Sequence, residues 1–233
     1  MASVMPMVIA ALIAGAPTMV SAQEAAPSMR LEAEQVYLRW DVSVDLGSAQ
    51  QAFAEVLRSA ERPGGMVTLS GCGEPGRSPM YAPGQSSVAS ALYRLTAVYP
   101  EYFWTIQDGV IDLLPKQNQP PVMDVRVQRF EWDTMAAMRL NVENVFQVAA
   151  VRDRLAGLGV TDAPDHGFGL QRAPRLINGV PVPEPPPKGR KWQVENVTVL
   201  AALNAIAASY ATGFWHYDEW ACGGRKVYRL STR

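Results

Sequence analysis

Histidine is nearly absent from this chain: His166 and His216 are the only two among 233 residues. Cysteine is as rare, with Cys72 and Cys222 standing 150 positions apart, which excludes every CxxC metal or redox motif. Charged residues make up only 18%, and the formal net charge is −1, so no basic field exists to concentrate nucleic acid. No GxSxG elbow, HExxH pair, phosphate-binding loop or GxGxxG turn occurs. These absences remove the common hydrolase, metalloenzyme and nucleotide-binding classes, and they supply neither a cofactor motif nor a metal set. The chain reads as a non-catalytic protein.

What is present begins with an apolar leader. Val4 to Val20 carry no charge and end in Val20-Ser21-Ala22, a small-x-small pattern followed by polar Gln23-Glu24. This predicts a secretory signal over residues 1–22, cut after Ala22, although no Lys or Arg precedes the apolar run. Pro6, Gly15 and Pro17 break the stretch, whereas a membrane anchor needs roughly 20 unbroken apolar residues. No stable membrane insertion is expected after cleavage. In an oxidising compartment, Cys72 and Cys222 are expected to form one disulfide joining the two halves of the chain. On the chain-entropy model, closing so long a loop stabilises by up to ~4–5 kcal/mol. The other reading is two buried free thiols.

Hydrophobic residues at 48% are ample for a core, and their periodicity alternates between strand and helix. After an N-terminal extension (23–39), Trp40 to Leu46 alternates as a strand. Ser48 caps a helix with Ala52, Phe53, Val56 and Leu57 on one face. Met66 to Ser70 is a short strand, Gly71 to Arg77 a glycine-rich loop, and Met80 to Pro83 another short extended piece. Ser86 to Tyr99 is a helix stopped by Pro100. Tyr102 to Gln107 and Val110 to Leu114 make a hairpin about Asp108-Gly109. Residues 117–121 form a linker. The order then repeats: a strand over Val122 to Phe130, one helix from Val142 to Leu158, a Pro-rich insertion over 161–190, a strand from Arg190 to Glu195, a helix capped by Thr198, and a closing hairpin from Phe214 to Leu230.

The repeat extends to single residues. A shift of 111 positions, which carries Trp104 onto Trp215, also carries Val88, Ala91 and Leu92 onto Val199, Ala202 and Leu203. Without a gap it continues through Ala97, Tyr99 and Phe103 onto Ala208, Tyr210 and Phe214. The fold class is therefore α+β: two tandem βαββαββ-type modules over 40–116 and 122–233, each with two helices packed on a small mixed sheet.

Ser87-Val88-Ala89-Ser90-Ala91-Leu92, Tyr102-Phe103-Trp104 and Asp108-Gly109-Val110-Ile111-Asp112-Leu113-Leu114-Pro115 together resemble the short N-terminal domain of secretins and TonB-dependent receptors. Val199 to Asn204 and Gly213-Phe214-Trp215 resemble it more loosely, with a longer Asp218 to Arg225 loop in place of the tight Asp-Gly turn. The resemblance implies an interaction module of the Gram-negative envelope, periplasmic or extracellular, that engages another protein through a sheet edge or the Pro-rich arm.

The candidate contact residues are Trp215, Tyr217 and Trp220, in a segment mixing aromatics with acids; an ordinary strand leading into a loop is the alternative, and the repeat-matched Trp104 and Trp215 are expected to cover their helices in the core. The rival class is a protein that binds or hydrolyses cell-wall glycan through Asp165/His166 or the Trp215–Trp220 region. Asp165 and His166 sit in a polar Pro/Gly loop that solvation alone explains. His216, opposite Trp215 in the alternation, is expected on the surface. The carboxylate pairs Glu131/Asp133 and Asp108/Asp112 have a strand-face spacing but no sign of a cleft.

Overall fold

Ser48 sets the first helix: its hydroxyl accepts the Gln51 N–H and starts α1 (Ala49–Ala60), which ends on Glu61 in the left-handed region. The computed structural model describes residues 35–36, 48–71, 86–163, 176–177, 180–181 and 189–233. The proposed leader and most of the extension, the strand expected at Trp40–Leu46, Cys72 with its loop, Met80–Pro83, Asp165/His166 and most of the Pro-rich stretch lie outside the described residues.

The fold is mixed α and β, with five described helices and a mixed sheet. In chain order the elements are β1 (Gln35–Val36), α1, β2 (Gly64–Gly71), β3 (Ser86–Ser87), α2 (Val88–Val98), β4 (Tyr102–Gln107) and β5 (Val110–Pro115). There follow β6 (Arg126–Asp133), α3 (Met138–Gln147), α4 (Ala149–Leu158), β7 (Val160–Asp162), β8 (Leu176–Ile177), β9 (Val180–Pro181), β10 (Lys191–Thr198), α5 (Val199–Ser209), β11 (Phe214–Cys222) and β12 (Arg225–Thr232). Ser87 and Thr198 cap α2 and α5 in the same way, each accepting an N–H from three residues on.

One six-stranded sheet carries both halves of the chain, in the order β4-β5-β2-β11-β12-β7. β4–β5 and β11–β12 are antiparallel hairpins, whereas β5–β2, β2–β11 and β12–β7 are parallel. The seam between the halves is the long parallel pairing Gly64–Gly71 with Phe214–Ala221. Helices cover both faces. On one face α1 and α2 enclose Met66, Ile111, Leu113 and Phe214. On the other, α3, α4, α5 and the β6–β10 ribbon enclose Val67, Leu114, Trp215, Tyr217 and Tyr228. Each fully buried large side chain among these, such as Phe53 or Phe146, contributes about 1.5–3 kcal/mol.

Three local expectations change. The single helix expected over Val142–Leu158 is two, α3 and α4, because Val148 is extended (φ −60°, ψ 131°). A straight helix would turn Leu155 half a revolution away from Phe146; the break lets both enter one core. The loop expected over Asp218–Arg225 is a continuation of β11 and β12, closed by a two-residue turn at Gly223-Gly224. Its φ values of 58° and 76° match the 52° and 81° of Asp108-Gly109, and glycine adopts them without a Cβ clash. Finally, β6 begins at Arg126 rather than Val122, after a run of turns from Pro121.

Candidate functional site

Strand alternation on β11 divides the residues singled out in the sequence between two covered faces. Trp215 and Tyr217 are fully buried under α5 and α3. The Trp215 indole donates to Asn204 Oδ1 (2.9 Å), and the Tyr217 hydroxyl to Glu219 Oε2 (2.7 Å). Both are core residues. Trp220 is half-buried, with the Arg229 guanidinium 5.4 Å from its ring centre.

His216 is buried, which corrects the surface position expected for it. Its Nε2 is 2.9 Å from Thr68 Oγ1, and that hydroxyl donates its only proton to Asp218 Oδ1 (2.7 Å). Nε2 must therefore carry the hydrogen and donate, leaving Nδ1 to accept from Ser231 Oγ at 3.4 Å. Activation of a hydroxyl by histidine needs the opposite direction, with Nε2 accepting the Thr68 proton. Asp218 is further engaged by Ser70 and Arg229, each at 3.4 Å. Burial drives the imidazole pKa down to about 4, with Asp218 opposing and Arg229 and Arg233 assisting. The neutral ring is a satisfied structural group.

The carboxylate pairs do not converge. Asp108 sits in the hairpin turn while Asp112 is buried on β5. Glu131 pairs with Arg129 on the surface, and Asp133 accepts the Met135 N–H at 2.8 Å. Among the described residues no group of three His, Cys, Asp or Glu side chains is placed to hold a metal, and no helix is long and apolar enough to cross a membrane.

A cleft of about 580 Å³ opens where α1 meets the α5–β11 connection, lined by Leu57, Arg58, Glu61, Met138, Tyr210 and Phe214 among others. The Arg58 guanidinium at its rim is held by Glu55, and the Tyr210 hydroxyl donates to Ala136 O. The cleft therefore offers an apolar floor with paired polar groups, not a convergent reactive set.

Among the described residues, the feature with unused bonding capacity is β4, at one end of the sheet. Lys116 N donates to Glu101 O (2.8 Å), so the alternating antiparallel pattern turns Phe103, Thr105 and Gln107 toward β5. The N–H and C=O groups of Tyr102, Trp104 and Ile106 point away from β5. Tyr99 O takes the Tyr102 N–H, and no described strand pairs with the outer side of Trp104 and Ile106. Beside this edge Tyr93 of α2 is 58% exposed and meets Trp104 edge-on at 5.2 Å between ring centres. Trp104 and Ile106 pack against the α1–α2 core and Phe103 against the opposite one, so the edge is apolar on both sides. The other end of the sheet, β7, has only three residues, two of them exposed. A short edge of this kind resists pairing. Sequence reasoning missed β4 as a site because a strand's place in the sheet order is not written in its own residues.

No protein-family model, curated protein or solved structure matches this chain.

Proposed function

We propose that this chain is a non-catalytic, exported interaction module of the bacterial envelope that binds a protein partner by accepting an extended segment as an added strand along β4. The edge of Trp104 and Ile106, unpaired among the described residues and beside the Tyr93–Trp104 pair, carries this reading: main-chain groups supply affinity, and the aromatic wall selects alternate side chains of the incoming strand. A photo-reactive side chain at Gln107, in the envelope fraction, is expected to give a discrete adduct with one protein. The same probe at Asp162 on the opposite edge is expected to give none. Ile106→Pro, which removes an outward N–H without touching the ladder to β5, should abolish the adduct while the protein remains folded. Equal labelling from both edges, or an adduct indifferent to Ile106→Pro, would sink the idea.

The module is, in this reading, a tandem pair related to the secretin and TonB short N-terminal domain. Element order supports it: β1, α1, β2, β3, α2 and the β4–β5 hairpin match β6, α3–α4, β7, β10, α5 and the β11–β12 hairpin. The antiparallel pairs β1–β3 and β6–β10 occupy equivalent places, and the caps Ser87 and Thr198 keep the 111-residue offset. Each half lays its helix-following strand parallel to the second strand of its own hairpin, β2 on β5 and β7 on β12. Strand order is kept and strand directions are reversed between the halves, which suits two copies related by a half-turn about an in-plane axis perpendicular to the strands together with a shift of three strands, with their helices on opposite faces.

Export and the Cys72–Cys222 disulfide belong to the same proposal. Gly71 pairs with Ala221 in the parallel seam, and Cys72 and Cys222 are the next residues in sequence on either side. Neighbouring strands run ~4.8 Å apart, within the span a disulfide bridges. Mass spectrometry of the non-reduced mature protein should find Gln23 at the N-terminus and one peptide pair joined through these cysteines. Two alkylatable thiols in the native protein would refute the bond.

A further inference from the structure

Four residues stand in one row across the sheet: Thr105 on β4, Asp112 on β5, Gly65 on β2 and Trp215 on β11. Gly65 is the gap in the row. A Cβ there would lie 2.2 Å from the Trp215 ring, so the indole occupies the space over β2. Its N–H reaches Asn204 of α5. An indole only donates, which fixes the Asn204 amide with Oδ1 toward Trp215 and Nδ2 toward Asp112 Oδ2 at 2.6 Å. Asp112 is fully buried, and its Oδ1 has no partner among the described residues.

Nothing nearby compensates a charge. α5 has no ionisable side chain, nor has β2. On β4 the position opposite is Thr105, and the only ionisable residue of that strand, Tyr102, belongs to the other core. On β11, His216 and Asp218 face the opposite side of the sheet, and Glu219 accepts the Tyr217 hydroxyl. Across that same core Tyr228 of β12 stacks on Tyr217 and Phe146, and Glu143 of α3 pairs with Arg139. Among the described residues, one neutral amide N–H is the whole of the hydrogen bonding offered to the carboxyl.

We propose that Asp112 is a proton latch between the sheet and α5: the neutral acid lets the helix dock, and ionisation loosens it. Burial pushes the Asp112 pKa up to about 7, only partly opposed by the Asn204 hydrogen bond. An open state in which water reaches the carboxyl ionises near its ordinary value of about 3.9. Opening therefore becomes easier by about tenfold per pH unit from about 4 to about 7, and levels off above.

The experiment follows hydrogen exchange of the α5 amides and the Trp215 indole from pH 5 to 8.5, corrected for intrinsic rates, together with the Asp112 carboxyl ¹³C shift in the wild-type protein. Protection of α5 is expected to fall about a hundredfold from pH 5 to 7 and then level, with the carbon titrating in the same range. Asp112→Asn, isosteric with the neutral acid, should remove that dependence. A carboxyl carbon titrating below pH 5 overturns the latch, as does the same pH dependence in the variant. Should Asp112→Asn not fold, the wild-type carbon titration decides alone.

Discussion

Trp215→Ala is expected to lower folding stability by about 3–5 kcal/mol, the range for deleting a large aromatic from a closed core. The side chain is fully buried, lies over Gly65 and donates the hydrogen bond that orients Asn204. The residue that makes room for it is as sensitive: Gly65→Ala drives a methyl into the indole and should cost about 1–3 kcal/mol or more. The two effects share one space. In Gly65→Ala/Trp215→Leu the second penalty should shrink, so urea midpoints of the double variant should fall short of the sum by 1 kcal/mol or more. Simple additivity would mean that Gly65 and the Trp215 ring do not compete for one space.

The second large effect lies in the shape of the stability–pH curve. His216, neutral and buried, must gain a proton on unfolding whenever the pH lies between about 4 and the ordinary 6.5. Its contribution to stability is present above 6.5 and lost as the pH falls toward 4. Asp112 has the opposite sign: its contribution is full below about 3.9 and is lost as the pH rises to about 7. Between pH 4 and 6.5 the folded chain holds the Asp112 proton, while the unfolded chain holds the His216 proton, so these two contributions cancel. Each single variant should expose the other group. Asp112→Asn should gain on the order of 3 kcal/mol as the pH rises from 4 to 6.5, and His216→Phe should lose a similar amount over the same interval. The double variant should return to the wild-type slope. Urea denaturation at half-unit pH steps checks the shapes; two single variants with the same slope would show that neither site behaves as its surroundings dictate.

Much of the local structure was legible because it rests on short-range rules. The Ser48 cap and the Ala52-Phe53-Val56-Leu57 face gave α1, and Asp108-Gly109 gave the first hairpin, each by the physics of a single turn. What escaped depends on partners far along the chain. His216 was assigned to the surface by alternation against Trp215, but alternation separates inside from outside only when one face of a sheet is wet, and here helices cover both. The closing hairpin about Gly223-Gly224 is legible as well, but its strands run longer than the Asp218–Arg225 loop reading allows, because β11 and β12 pair through those residues. The core place of Trp215 follows from its match to Trp104 in the repeat, whereas Tyr217 reads as a contact residue because aromatics among acids suit an interface as well as a core. Asp112 reads as one of a carboxylate pair and as a position of the Asp108–Pro115 motif; its isolation depends on Asn204, 92 positions later.

The parallel seam carries a consequence for biosynthesis. Paired residues of β2 and β11 are 150 positions apart, while the β4–β5 hairpin closes within a few residues. As the chain emerges, β2, β4 and β5 are complete long before β11 exists. A growing polypeptide thus displays β2 with one side vacant throughout synthesis of the second half, and sticky, unfinished sheets are what holdase chaperones intercept.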